Sequence, residues 1–97
     1  MKLHYFDIYG RAEPIRMLLD HAKVQFEDVR FDWSKFGEIK ESGLFEFGKC
    51  PVLEMDGESY AEALAILRML GKIHGYYPED IKLAYKVDSN LSVNMDL

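Results

Sequence analysis

Ninety-seven residues, 48% hydrophobic and 30% charged, suffice for one hydrophobic core and are too few for two. A net charge of −5 argues against nucleic acid, which requires a basic footprint, yet a few lysines in a cleft would still attract a small anion. The run Met1-Lys2-Leu3-His4-Tyr5 has no apolar signal core, no stretch reaches transmembrane length, and the single cysteine, Cys50, cannot form an internal disulfide, so a cytoplasmic location is the default expectation.

Lys2 to Ile8 is rich in β-formers and predicts a first strand, with Tyr9-Gly10-Arg11 as the turn behind it. Pro14 suits a first helical position, and Ile15, Leu18, Leu19 and Ala22 then recur at helical spacing along one buried face. Gln25 to Phe31 alternates and predicts a second strand. A strand, a helix and a strand of these lengths make a βαβ unit with parallel strands. Between Asp32 and Phe47, glycines 37 and 43 punctuate a less regular segment, in which Phe36, Ile39 and Lys40 share one short helix.

Pro51 removes a backbone donor and fixes φ, which places it at a strand mouth. Were its peptide bond cis, the polar groups of the Cys50 backbone would turn outward toward a ligand. Val52-Leu53 starts the strand, Asp56-Gly57 is a strong hairpin signal, and Glu58-Ser59-Tyr60 returns from it. A helix opens at Glu62-Ala63. Ala63, Ile66, Leu67 and Leu70 mark its buried stripe, while Ala65, Met69 and Ile73 predict cover on a second face. Gly75 is the expected C-cap. Residues 76–81 read as a linker, and Leu83, Val87, Leu91 and Met95 pattern a last helix over 82–97, with its final dozen residues expected to be loosely held unless a partner covers them. The order, βαβ then ββα, predicts an α/β domain with a four-stranded mixed sheet, of thioredoxin-like type, followed by a short helical stub.

The run F-G-K-C-P-V-L-E-M-D-G, with E-A-L-A-I-L-R after it and H-Y-F-D-I-Y-G-R-A-E near the N-terminus, resembles the glutathione-binding half of cytosolic glutathione transferases. The likeness is to the sigma and alpha branches and covers nearly the whole chain. It implies the same thioredoxin-like fold, with residues 1–75 as the glutathione-binding domain and 82–97 as the truncated first helix of an all-helical second domain. Glutathione is the implied co-substrate and a small electrophile the second substrate. Cytoplasmic location and a homodimer follow from the same resemblance, with no metal, nucleic acid or membrane involved.

The resemblance also implies residue roles. Tyr5 matches the catalytic tyrosine, whose hydroxyl stabilises the glutathione thiolate; by residue type alone a half-buried strand tyrosine is the stronger reading, because tyrosine favours strands, and the family segment around it reverses that order. Tyr9 offers a second hydroxyl nearby, but the family role does not transfer to it. Arg11 matches an arginine that supports the thiolate or holds the loop. Lys40 and Lys49 match lysines that approach the glycyl carboxylate. Phe36 stands where sigma-type members carry tryptophan, with Trp33 close by as a substitute. Cys50 and Pro51 offer the cysteinyl part of glutathione a strand-like backbone pairing. Glu62 keeps a partner for the γ-glutamyl ammonium, although Ser59-x-x-Glu62 also fits a capping box. Ala63 replaces the family serine and loses one hydroxyl for the γ-glutamyl carboxylate, leaving a backbone N–H and the helix dipole. Asp96 matches an acid that reaches a partner's glutathione across a dimer. Asp7 and Asp88 read as ordinary solvated acids.

Two other readings stand beside this one. Transferase-like domains also resemble pieces that tether protein assemblies, and a non-catalytic interaction module suits the loss at Ala63. A glutaredoxin-like redox protein would work through Cys50, but without C-x-x-C a thioredoxin-type exchange has no resolving thiol, and a single-thiol mechanism needs its cysteine at the end of the first strand, where Tyr5 stands.

Overall fold

The computed structural model describes residues 1–7, 10–43 and 50–95, with side chains as far as 93. The elements are β1 (Lys2–Phe6), α1 (Glu13–His21), β2 (Glu27–Phe31), a 3₁₀ turn (Trp33–Lys35) running into α2 (Phe36–Glu41), β3 (Val52–Met55), β4 (Glu58–Ala61), α3 (Ala63–Ile73) and α4 (Ile81–Met95). The sheet order is β2-β1-β3-β4. β1 and β2 are parallel, Leu3 beside Asp28, and β3 is antiparallel to both β1 and β4. This is the mixed thioredoxin-like sheet that the βαβ-ββα order predicts.

Side-chain alternation along β1 divides the core between the two faces of the sheet. Leu3 and Tyr5 join Ile15 and Leu19 of α1, Leu53 of β3, and Ile66, Leu67 and Leu70 of α3 in one buried cluster. Phe6 contributes to a smaller one, where Phe31 and Val52 meet Phe36 and Ile39 of α2. Burial of each large aliphatic side chain contributes about 1.5–3 kcal/mol, so the first cluster carries most of the fold.

The chain reversals follow local chemistry. Asp56 (φ 53°) and Gly57 (φ 80°) form a two-residue turn with both central residues left-handed, which matches the twist of the strands it joins. α3 ends with Gly75 at φ 79°, where the Tyr76 N–H donates back to Gly71 O at 2.7 Å. α1 ends the same way on a non-glycine residue: Lys23 sits at φ 59°, and the Val24 N–H donates to Leu19 O at 3.0 Å. Asp80 caps α4, its carboxylate accepting the backbone N–H groups of Lys82 and Leu83 at 2.8 and 3.1 Å.

Several boundaries differ from the sequence pattern. β1 is described to Phe6, β2 begins at Glu27 rather than Gln25, Pro14 is the second helical residue, and α4 starts at Ile81, inside the stretch read as linker. Among the described residues, the second face of α3 is covered only in part: Ala65 is exposed and Ile73 is 55% exposed, while Met69 packs on the main core. Nor is α4 without a hold on the domain. Leu91 packs on the main core, and Asp88 accepts hydrogen bonds from Arg68 and from Tyr77, both at 2.8 Å.

Candidate functional site

Most of the residues marked by the sequence collect at one end of the sheet. β1 runs toward that end and finishes with Tyr5 and Phe6. Antiparallel β3 starts there: His4 lies opposite Val52, so Cys50 and Pro51 stand level with the end of β1. β4 returns to the same end, Ala61 opposite Val52, and delivers Glu62 and Ala63. Parallel β2 ends beside Phe6 on Phe31 and leads to Trp33 and Phe36.

Tyr5 is 8% exposed. Its hydroxyl oxygen accepts the backbone N–H of Arg11 at 3.3 Å, which leaves the phenolic proton free to be donated elsewhere. The turn that supplies this N–H is closed by Glu13 N–H donating to Gly10 O at 3.0 Å. A Cβ at Gly10 would stand 2.7 Å from the Tyr5 hydroxyl, so the close approach requires glycine. Arg11 therefore meets Tyr5 through its backbone, with its side chain exposed.

Cys50 is half-buried between the two clusters, and its peptide bond to Pro51 is cis. Burial pushes its thiol pKa up, outweighing the backbone hydrogen bonds of Cys50 itself and Phe6 that lower it. That favours the protonated, unreactive thiol and counts against a redox role. Glu62 precedes α3 at φ 72° and ψ 113°, with its side chain exposed and making no cap. Ser59 lies exposed within β4, so the capping box does not form. Ala63 is buried as the first residue of α3.

Phe36 is half-buried in an aromatic group, 5.4 Å from Phe6 and 5.7 Å from Trp33 between ring centroids, the Trp33 ring lying within 5° of parallel. Trp33 is itself 74% exposed. Lys40, in the last turn of α2, is exposed. Lys49, Asp96 and Tyr9 lie outside the described residues. Among the described residues, no group of three or more His, Cys, Asp or Glu could hold a metal ion, and no helix is long and apolar enough to cross a membrane.

Asp88 is not an ordinary solvated acid, being half-buried and bonded to Arg68 and Tyr77, whereas Asp7 is exposed as expected and joins a surface ion pair. Asp7 accepts a hydrogen bond from Arg30 at 2.9 Å, and Arg30 also reaches Asp28 at 2.9 Å. Asp28 in turn pairs with Arg16 at 3.0 Å, while Arg16 pairs with Glu13 at 3.1 Å and reaches Phe6 O at 3.4 Å. Sequence reasoning passes over Arg16, Asp28 and Arg30. The spacing Glu13-x-x-Arg16 is a legible helical ion pair, but nothing local reveals that Arg16 is 4% exposed.

A hydroxyl, a strand mouth and a helix N-terminus thus meet at one end of the sheet. The sequence model of the glutathione S-transferase N-terminal domain matches residues 1–72. The chain belongs to that family. Among its relatives, the glutathione S-transferase 2 of Manduca sexta is 41% identical over 85 residues, 88% of this chain and 40% of the relative. The human hematopoietic prostaglandin D synthase is 44% identical over 71 residues, 73% of this chain and 35% of the relative. The crystal structure of the monomeric glutathione S-transferase Na-GST-3 of the hookworm Necator americanus superposes with a TM-score of 0.87 at 35% identity, over 98% of this chain and 45% of that one. This glutathione S-transferase N-terminal domain chain thus spans less than half the length of these relatives.

Proposed function

We propose that the chain binds glutathione and activates its thiol for conjugation to small electrophiles, as the glutathione-site portion of a glutathione transferase. The observation that carries this reading is the Tyr5 hydroxyl, whose oxygen is engaged by the Arg11 N–H while its proton remains available. A free thiol has a pKa near 8.5, so only a few per cent is thiolate at neutral pH. A hydroxyl donated to sulfur stabilises the anion. The thiol proton leaves to solvent, and the sulfur lone pair forms the new S–C bond as a leaving group departs with its electrons.

In this reading the Cys50 backbone pairs with the cysteinyl unit beside Pro51, Glu62 meets the γ-glutamyl ammonium, and the Ala63 N–H meets the γ-glutamyl carboxylate. Lys40, Lys49 and Phe36 hold the glycyl end, Arg11 supports the loop, and Asp96 reaches a partner's site. Residues 1–75 form the glutathione domain, 76–81 the linker and 82–97 the beginning of the helical domain that holds most of the electrophile pocket. Activity is weakened where that domain is not present and by the alanine at position 63. The setting is cytoplasmic, and the association a homodimer, although the relative Na-GST-3 is monomeric.

Calorimetric titration with reduced glutathione tests the reading. Ala63→Ser restores a hydrogen bond to a charged group, worth about 1.5–3 kcal/mol, and should tighten binding roughly ten- to a hundred-fold. Tyr5→Phe should leave affinity nearly intact while the bound thiol titrates at higher pH. No heat at millimolar glutathione from a demonstrably folded chain would replace this reading with the non-catalytic interaction module.

A further inference from the structure

We infer that Arg16 is a positioning residue for the Tyr5 hydroxyl, an inference that rests on the proposed role of Tyr5. A guanidinium at 4% exposure is costly to bury unless its donors are used. Those of Arg16 are used in three directions. Nε donates to Asp28 of β2 at 3.0 Å, Nη1 to Glu13 at the start of α1 at 3.1 Å, and Nη2 to the Phe6 carbonyl at the end of β1 at 3.4 Å. Its Cζ also stands 5.8 Å from the centroid of the Tyr5 ring.

These contacts bracket the segment that engages the hydroxyl. Phe6 precedes it, and Glu13 closes the turn from which the Arg11 N–H reaches Tyr5. The bracket has a second tier. The other oxygen of Asp28 accepts from Arg30 at 2.9 Å, and Arg30 holds Asp7, directly after Phe6, at 2.9 Å. Among the described residues, the charged groups paired with Arg16 include Glu13 on its own helix and Asp28 from β2, with Arg30 behind. Two carboxylates offset its charge, so its effect on Tyr5 is geometric. A planar fork with donors on three separate nitrogens meets this need; a lysine ammonium also has three donors, but on one nitrogen at the tip of a flexible stem, which does not reach three separated partners.

The test measures, in the intact chain, the thiolate absorbance of bound glutathione against pH. Arg16→Gln should move the titration up by about half to one pH unit, roughly a three- to ten-fold smaller acid-dissociation constant for the bound thiol, with affinity for glutathione close to unchanged. Arg16→Lys should not restore the wild-type curve. In a Tyr5→Phe background Arg16→Gln should add nothing, because both changes act through one hydroxyl. Asp28→Asn, a milder change at a more exposed partner, should shift the curve in the same direction and decides the matter if Arg16→Gln fails to fold.

An unmoved titration in the folded variants, a full rescue by lysine, or an equal additional shift in the Tyr5→Phe background each overturns the inference. If Tyr5→Phe moves the curve and these variants do not, Arg16 is only a structural clasp and the Tyr5 role survives. If Tyr5→Phe leaves the curve in place, or the wild-type chain binds no glutathione, the Tyr5 role falls and the Arg16 inference falls with it.

Discussion

Glu62 holds its backbone at φ 72° and ψ 113°, away from the left-handed helical well that Lys23 and Asp56 occupy at φ 59° and 53°. Such a conformation costs a non-glycine residue on the order of 1–3 kcal/mol and persists only where its surroundings enforce it. Here the enforcers are β4 on one side and α3 on the other, whose first turn closes with Ile66 N–H on Glu62 O at 2.9 Å. Glu62→Gly should therefore release strain and raise the thermal midpoint by a few degrees, corresponding to about 1 kcal/mol after the greater entropy of the unfolded glycine chain. It should also weaken glutathione binding, since the exposed carboxylate is gone. A lowered midpoint would refute the strain. The pair Glu62-Ala63 was legible in the sequence as a motif, but its backbone angles were not, because they arise where two elements meet. The fork of Arg16 was hidden for a similar reason: its partners Phe6 and Asp28 lie 10 and 12 residues away.

α4 shows how an element docks through few groups. Its apolar side chains are largely outward, with Ile81, Leu83, Tyr85 and Val93 exposed, and its hold on α3 includes the bonds of Asp88. The Tyr77 hydroxyl, then Arg68, hold the Asp88 carboxyl below the usual aspartate range despite burial, which raises it. The same carboxylate pushes the Tyr77 phenol up, aided by burial. The lowered acid stabilises the docked helix above about pH 4 and loses that contribution as pH falls through its folded value; the raised phenol contributes below about pH 10 and loses it as pH rises further. Amide protection in α4 should thus be flat across neutral pH and decline at both extremes. Asp88→Asn should lower it at neutral pH and remove the acid decline, so an unchanged acid limb in the variant would contradict this account. Helical spacing of Leu83, Val87 and Leu91 made the helix legible. Its anchor was not, since Arg68 and Asp88 are 20 residues apart.

At the scale of the whole molecule, the order of strands and helices was legible because each signal is local: the two-residue turn, the i, i+3, i+4 stripes and the parallel crossover that a βαβ unit requires. The sheet then brings sequence-distant stretches to one end without any of them specifying the others. That division predicts how the parts should separate. A chimera joining residues 1–97 to the remaining part of the Manduca relative should raise the conjugation rate while leaving glutathione affinity near that of the chain alone, and an unchanged rate would refute the proposal that the electrophile pocket lies mostly outside these residues. Trp33 gives the arrangement an optical consequence. It is the sole tryptophan of the chain, open to solvent on one side and stacked on Phe36 on the other. Excited selectively, the molecule emits from this single indole beside the aromatic end of the sheet, so quenching or a colour shift there carries no background from another tryptophan.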